Sequence, residues 1–246
     1  MTSAADDPLA RQRATRVKIC GLTNLDDAEA AEQMGAWALG MIFYEDSPRR
    51  CSPEQAARIA AALRRRTELC GVFVNAPLDE VARVGRELGL SMVQLHGDEG
   101  PAYCAEVARR TGARVIRAMQ ISGPGDLRAS ERFHVDYHLL DARSPERPQL
   151  RGGTGATFDW SLLSQRRTQV PLILSGGLDA SNVAAAIAAV HPYAVDSASG
   201  TESAPGHKDR EKMAALFAAV RATAEDPGGS SAAAAEQPAH PVAGQS

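Results

Sequence analysis

The chain is short of aromatic residues, of cysteine and of surplus basic charge. Phe, Trp and Tyr make up only 4% of it, so a core has to come from aliphatic side chains and the abundant alanines. At 44% hydrophobic there is enough for a core of good size. The formal net charge of −3 leaves no cationic excess to offset phosphates, which argues against a nucleic-acid partner. No apolar run reaches the length of a membrane span, so no membrane partner is expected. The first stretch, MTSAADDPLARQRATR, lacks the apolar centre of a secretory signal. Four cysteines, Cys20, Cys51, Cys70 and Cys104, show no paired spacing, and reduced thiols in a cytoplasm are the simpler expectation. The histidines are scattered, and one His beside contiguous acids at His96 is a poor ligand set for a metal.

What the chain does have is alternation. Residues 1–15 are polar and residues 226–246 are low-complexity, so both ends read as disordered tails around a folded region, 16–225. Inside it, strand-like runs alternate with helical periods and short turns. The first run, Arg16–Cys20, puts Val17 and Ile19 on one face and Lys18 and Cys20 on the other. Further strands are expected at Trp37–Tyr44, Leu69–Asn75, Ser91–His96, Ala113–Met119, Tyr137–Asp141, Pro171–Leu174 and Tyr193–Asp196. Helical patterns lie between them, and the last is expected at Lys208–Ala224. Eight strand–helix units in this length predict a single (β/α)8 TIM barrel. The rival, an open doubly wound sheet, wants a glycine-rich turn after its first strand, and here that turn is Cys-Gly-Leu-Thr.

In a barrel the chemistry sits on the loops after the strands. Cys20 ends the first strand, as a buried filler or as a reactive thiol delivered to the mouth. Adjacent arginines, Arg49 and Arg50, follow the second; one could clamp a carboxylate or phosphate with a bidentate fork. The fourth strand brings Gln94 and His96 onto one face, with His96 a candidate pocket residue. Asp141 terminates the apolar sixth strand, as a general acid or base or as a loop cap. Glycine loops with Gly155, with Gly176 and Gly177, and with Ser199 and Gly200 follow strands six, seven and eight. Three such loops at one rim point to a phosphate held by backbone amides.

Taken together, KICGLTN (18–24), FYEDSPRR (43–50), GVFVN (71–75), VQLHGDE (93–99), LLD (139–141), GGTGATFDW (152–160), LSGGL (174–178), AVDSASGTE (194–202) and PGHKD (205–209) resemble the phosphoribosylanthranilate isomerases of tryptophan biosynthesis. The resemblance runs from about Arg16 to Ala222. It implies an Amadori rearrangement of N-(5-phosphoribosyl)anthranilate without a cofactor, with Cys20 as general base and Asp141 as general acid. It also implies Arg50 as the partner of the anthranilate carboxylate, Arg49 as solvated, and Asp196 near the substrate's polar groups. A thiol of reference pKa about 8.5 is an imperfect base at neutral pH, so local stabilisation of the Cys20 thiolate is expected. The partner implied is a small phosphorylated substrate, met by a monomer or homodimer. In the family the stretch after strand eight usually reads Asp-Val-Ser-Ser-Gly-Val-Glu. Here Ala198 replaces one serine and Ser197 an apolar residue. The related indole-glycerol-phosphate synthase would need catalytic lysines at several strand ends and an ordered N-terminal helix, and the chain offers neither. A silent phosphosugar-binding barrel would not need both Cys20 and Asp141.

Overall fold

Strands buried on both faces lose nothing by being apolar throughout, and short runs of that kind pair in parallel when helices cover their outer side. The computed structural model describes residues 14–142, 160, 163 and 166–225. Eight strands close a parallel barrel: β1 (Arg16–Cys20), β2 (Ala38–Ile42), β3 (Glu68–Phe73), β4 (Met92–Leu95), β5 (Arg114–Ile121), β6 (Tyr137–Ala142), β7 (Leu172–Leu174) and β8 (Ala194–Ser197). The barrel read from the sequence is the fold observed, and β8 returns to β1 with Lys18 opposite Asp196.

Helices α1 (Leu25–Gln33), α2 (Pro53–Leu63), α3 (Leu78–Leu88), α4 (Pro101–Thr111), α5 (Pro124–Ser130), α6 (Val183–Val190) and α7 (Arg210–Glu225) lie in the intervals. Their starts are written locally. Asn24 accepts the Asp27 amide at 2.8 Å, and Ser52 accepts that of Gln55 at 3.2 Å ahead of Pro53. One boundary differs from expectation. The last helix starts at Arg210, because His207–Lys208 (β10) pairs antiparallel with Glu202–Ala204 (β9). Asp209 then accepts the amides of Glu211 and Lys212 and caps the helix two residues late. The expected tails, except residues 14 and 15, lie outside the described residues. So do Gly155, nearly all of the loop expected over 142–157, and most of the helix expected near Asp159–Arg166.

Two cores result. One fills the annulus between barrel and helices, with Ile19, Leu39, Phe73, Leu95, Leu140 and Val195 pointing outward. The other fills the lumen, with Ala38, Val72, Met92, Ile116, Leu139 and Ile173 pointing inward. The lumen is plugged at its N-terminal end by three of the few aromatic rings. Trp37 meets Tyr137 and Tyr193 edge-on at 5.5 and 5.4 Å, and the two tyrosines lie 5.3 Å apart. Arg16 covers the Tyr193 ring at 4.2 Å. The strand-end residues, Cys20 and Asp141 among them, lie at the other end. Among the described residues no helix is long and apolar enough to cross a membrane.

His138, on the outward face of β6, is fully buried and donates to the Phe133 carbonyl at 2.9 Å. Burial, with Arg166 and His134 nearby, pushes it down to about 4 from an ordinary value of 6.5. Between those values the unfolded chain binds a proton that the folded chain refuses, so stability should fall as the pH drops from about 6.5 to about 4. Urea unfolding near neutral pH and near pH ~5 should show a shallower acid loss in His138→Gln than in the parent. Equal losses would assign the acid sensitivity to other groups.

Candidate active site

Cys20 closes β1 with its thiol inside the barrel at the C-terminal end of the strands, 5% exposed. The row it belongs to leaves room for it. Cys20 pairs with Gly40 of β2, and Gly40 pairs with Cys70 of β3. A Cβ at Gly40 would stand 2.8 Å from Cys20 Sγ, so only glycine fits beside the thiol. Burial pushes the thiol up; Lys18 pulls it down, Asp196 pushes it up and Lys208 pulls it down. The net direction is upward. The expected stabilisation of the thiolate is therefore present as two nearby ammonium groups, but desolvation outweighs it.

Lys18, two residues earlier on the same face, is fully buried, and its Nζ donates to Asp196 Oδ1 at 2.6 Å. Ser175, at the end of β7, donates to Asp196 Oδ2 at 3.1 Å. Burial works against the lysine's charge, but Asp196 outweighs it and the ammonium is held above its ordinary range. Both oxygens of Asp196 thus have partners inside the protein, and its carboxylate stands 5% exposed beneath the mouth.

Asp141 is the penultimate residue of β6, 2% exposed, and His96 follows β4. The structure brings the two together: His96 Nε2 lies 3.8 Å from Asp141 Oδ2, an ion-pair separation longer than a hydrogen bond. Gln94 Nε2 is 3.1 Å from His96 Nδ1. This contact holds the imidazole ring in place beside Asp141. Behind His96 sits a support the sequence did not announce. Glu99 accepts the amides of Asn75 at 2.7 Å and Gly97 at 2.8 Å. It also pairs with Arg117 at 3.2 Å, and Arg117 donates to the carbonyls of Leu95 and Gly97. This buried pair fixes the ends of β3, β4 and β5 against one another.

The two arginines are not as the sequence reading had them. Arg50, expected to reach the substrate, has a half-exposed side chain 3.7 Å from the exposed Glu45. Arg49, expected to be solvated, lies against Gly21, where an added Cβ would be 2.9 Å from its Cδ. Its guanidinium grips Glu202 through Nε at 2.9 Å to both oxygens and through Nη2 at 2.8 Å. The loop after β2 reverses between Ser47 and Arg50, and that reversal decides which arginine faces β1. Glu202 also receives Lys208 at 3.1 Å, and Lys208 Nζ donates to the carbonyls of Cys20 at 2.7 Å and Ala198 at 2.9 Å. Burial tends to raise the Glu202 carboxyl, but Arg49 and Lys208 hold it below the usual range. Lys208, read from the sequence only as part of a helix start, therefore ties the backbone of Cys20 to the loop after β8.

The glycine loops after β7 and β8 meet at one carbonyl. Ser197 Oγ donates to Leu178 O at 2.7 Å, pointing out of the barrel, while Ala198 packs on the lumen cluster. A Cβ at Gly200 would overlap that same Leu178 oxygen. Gly176 and Gly177 take φ of 100° and 63°, which side chains avoid. Ser199 and Gly200 form a 3-10 turn, Ser199–Thr201, beside them. Gly155 lies outside the described residues. Among the described residues no group of three His, Cys, Asp or Glu side chains is arranged to hold a metal ion.

The sequence model of the family described as N-(5'-phosphoribosyl)anthranilate (PRA) isomerase matches residues 17–219, which include the whole barrel apart from Arg16. The chain belongs to this family. An N-(5'-phosphoribosyl)anthranilate isomerase of Geobacter sp. (strain M21) is 47% identical over 207 residues, 84% of this chain and 98% of the relative. The crystal structure of phosphoribosyl anthranilate isomerase from Thermotoga maritima superposes with a TM-score of 0.75 at 39% identity, covering 85% of this chain and 99% of that one. A phosphoribosyl anthranilate isomerase in complex with reduced 1-(o-carboxyphenylamino)-1-deoxyribulose 5-phosphate superposes with a TM-score of 0.72 at 37% identity, covering 85% and 99%.

Within this isomerase fold, Glu202 is a nearly buried carboxylate shared by two cations, the partly buried Arg49 and the buried Lys208. Removing it leaves the buried Lys208 ammonium without a counter-charge and frees the Arg49 fork. Glu202→Ala should lose about 3–5 kcal/mol of unfolding free energy in urea titrations. A loss below about 0.5 kcal/mol would mean that water replaces the carboxylate without cost.

Proposed function

We infer that the chain catalyses the Amadori rearrangement of N-(5'-phosphoribosyl)anthranilate to 1-(2-carboxyphenylamino)-1-deoxyribulose 5-phosphate, with Cys20 as general base and Asp141 as general acid. The observation that carries these roles is the placement of the two side chains. They enter one mouth from β1 and β6, with β7 and β8 between them, and both are nearly buried. In this reading Asp141 gives a proton to the furanose ring oxygen, and the ring opens to a Schiff base. The Cys20 thiolate takes the proton from C2, leaving an enolamine. Then C1 gains a proton, the C2 hydroxyl loses one, and the ketone forms. Acid and base must act from different sides of the sugar, which separated strands allow and neighbouring residues would not.

The rest of the rim fits the ends of such a substrate. The loops with Gly176, Gly177, Ser199 and Gly200 offer backbone amides to a phosphate. Their mutual clamp at Leu178 O keeps those amides in register. For the anthranilate carboxylate we favour Arg49 over Arg50. Arg49 stands over Gly21 and already holds a carboxylate in its fork, whereas Arg50 points toward Glu45. His96, aimed at Asp141, lines the same mouth, and Asp196 closes its floor. The four cysteines are free and buried, in keeping with a reducing cytoplasm as the place of reaction.

Loss of the substrate's fluorescence, followed with freshly made N-(5'-phosphoribosyl)anthranilate and purified protein, tests this directly. Cys20→Ala and Asp141→Asn should each lower the turnover number ~10²–10⁴-fold while affinity for a product analogue changes little. Near-parental turnover in Cys20→Ala would return the thiol to core filling. Near-parental turnover in Asp141→Asn would make that carboxylate a loop cap.

A further inference from the structure

Lysine is almost never fully buried, and when it is, a partner has to be found for its charge. Lys18 stands in a lumen built mostly from Ala38, Met92, Ile116 and other apolar side chains, with Asp196 and Gln94 among its buried polar groups. Such a pair adds little to stability, since apolar residues of equal volume would hold the place as well or better. A charge kept here at that cost has to act on something. The groups that face Cys20 are few. They are Lys18 on its own strand, Asp196 on β8, Lys208 from β10, backed by Glu202, and the Cys70 thiol on β3; β2 presents only Gly40. Of the two cations, Lys208 is shared among two carbonyls and Glu202, whereas Lys18 donates to Asp196 from the same strand face as Cys20.

We propose that Lys18 is the positioning residue of the base: its ammonium, fixed in the lumen by Asp196, supplies the positive charge against which the Cys20 thiolate forms. The Asp196–Ser175 contact belongs to the same device, because it turns the carboxylate so that one oxygen is left for the lysine. Among the influences that oppose burial of the thiolate, Lys18 is the strongest, ahead of Lys208. This rests on Cys20 being the base, but the device can be measured without turnover.

The test is the pH dependence of Cys20 alkylation by iodoacetamide in the substrate-free enzyme. Peptide mass spectrometry separates Cys20 from Cys51, Cys70 and Cys104. In Lys18→Met the midpoint should move up by about one to two pH units, and kcat/KM at neutral pH should fall ~10–100-fold with a smaller deficit at high pH. The double variant Lys18→Met/Asp196→Asn leaves no unpaired charge in the lumen and serves if the single variant does not fold. It should shift the midpoint in the same direction by less. An unmoved midpoint in the variants that fold, however low their activity, would overturn the proposal and leave Lys18 a structural strut. If the midpoint moves but Cys20→Ala still turns over normally, the base assignment fails and the electrostatic device stands.

Discussion

An ion pair in the lumen links the seam of this barrel to the charge at its mouth. Lys18 and Asp196 meet at 2.6 Å across the seam where β8 closes onto β1, directly opposite each other in the register. Losing either partner alone strands a charge in an apolar shaft, a cost of about 3–5 kcal/mol in comparable buried pairs. The pair therefore ties closure of the fold to the electrostatics of the mouth above it. The aromatic plug of Trp37, Tyr137 and Tyr193 completes the arrangement by sealing the shaft below. Charge placed in so dry a column acts over a longer reach than the same charge in water.

Around the mouth, a second tier of buried ions holds the loops. Glu202 gathers Arg49 and Lys208, and Lys208 reaches back to the carbonyl of Cys20. Glu99 and Arg117 do the same for the ends of β3, β4 and β5, beneath His96. Side chains that act on a substrate need neighbours locked by their own contacts, and here the locks are ionic rather than aliphatic. The pattern follows from composition: a chain so poor in aromatic rings has few large apolar anchors to spend on its loops.

The architecture was legible because its signals are local. Buried parallel strands read as apolar runs, Asn24 and Ser52 mark helix starts, and the facing of Lys18 and Cys20 follows from a period of two. Cys20, Asp141 and His96 could be located as strand ends before any contact was known. The rest depends on contacts between distant positions. Nothing near Trp37 announces Tyr137 or Tyr193, and Glu99 gives no sign of Arg117. Arg49 and Arg50 are adjacent, so a motif match can slip by one, and only the loop reversal between Ser47 and Arg50 separates them. The Lys208 hairpin was hidden because Pro205-Gly206-His207 is equally compatible with a helix lead-in.

In the proposed reaction acid and base address the sugar from different sides, with Cys20 on C2 and Asp141 on the ring oxygen's position. A crystal structure of this enzyme with reduced 1-(2-carboxyphenylamino)-1-deoxyribulose 5-phosphate measures that directly. The account predicts Cys20 Sγ and an Asp141 carboxylate oxygen on opposite faces of the ribulose chain, each within ~3.5 Å of its atom. It predicts the anthranilate carboxylate on Arg49. A complex with both side chains on one face, or with another group in place of Sγ beside C2, would contradict it.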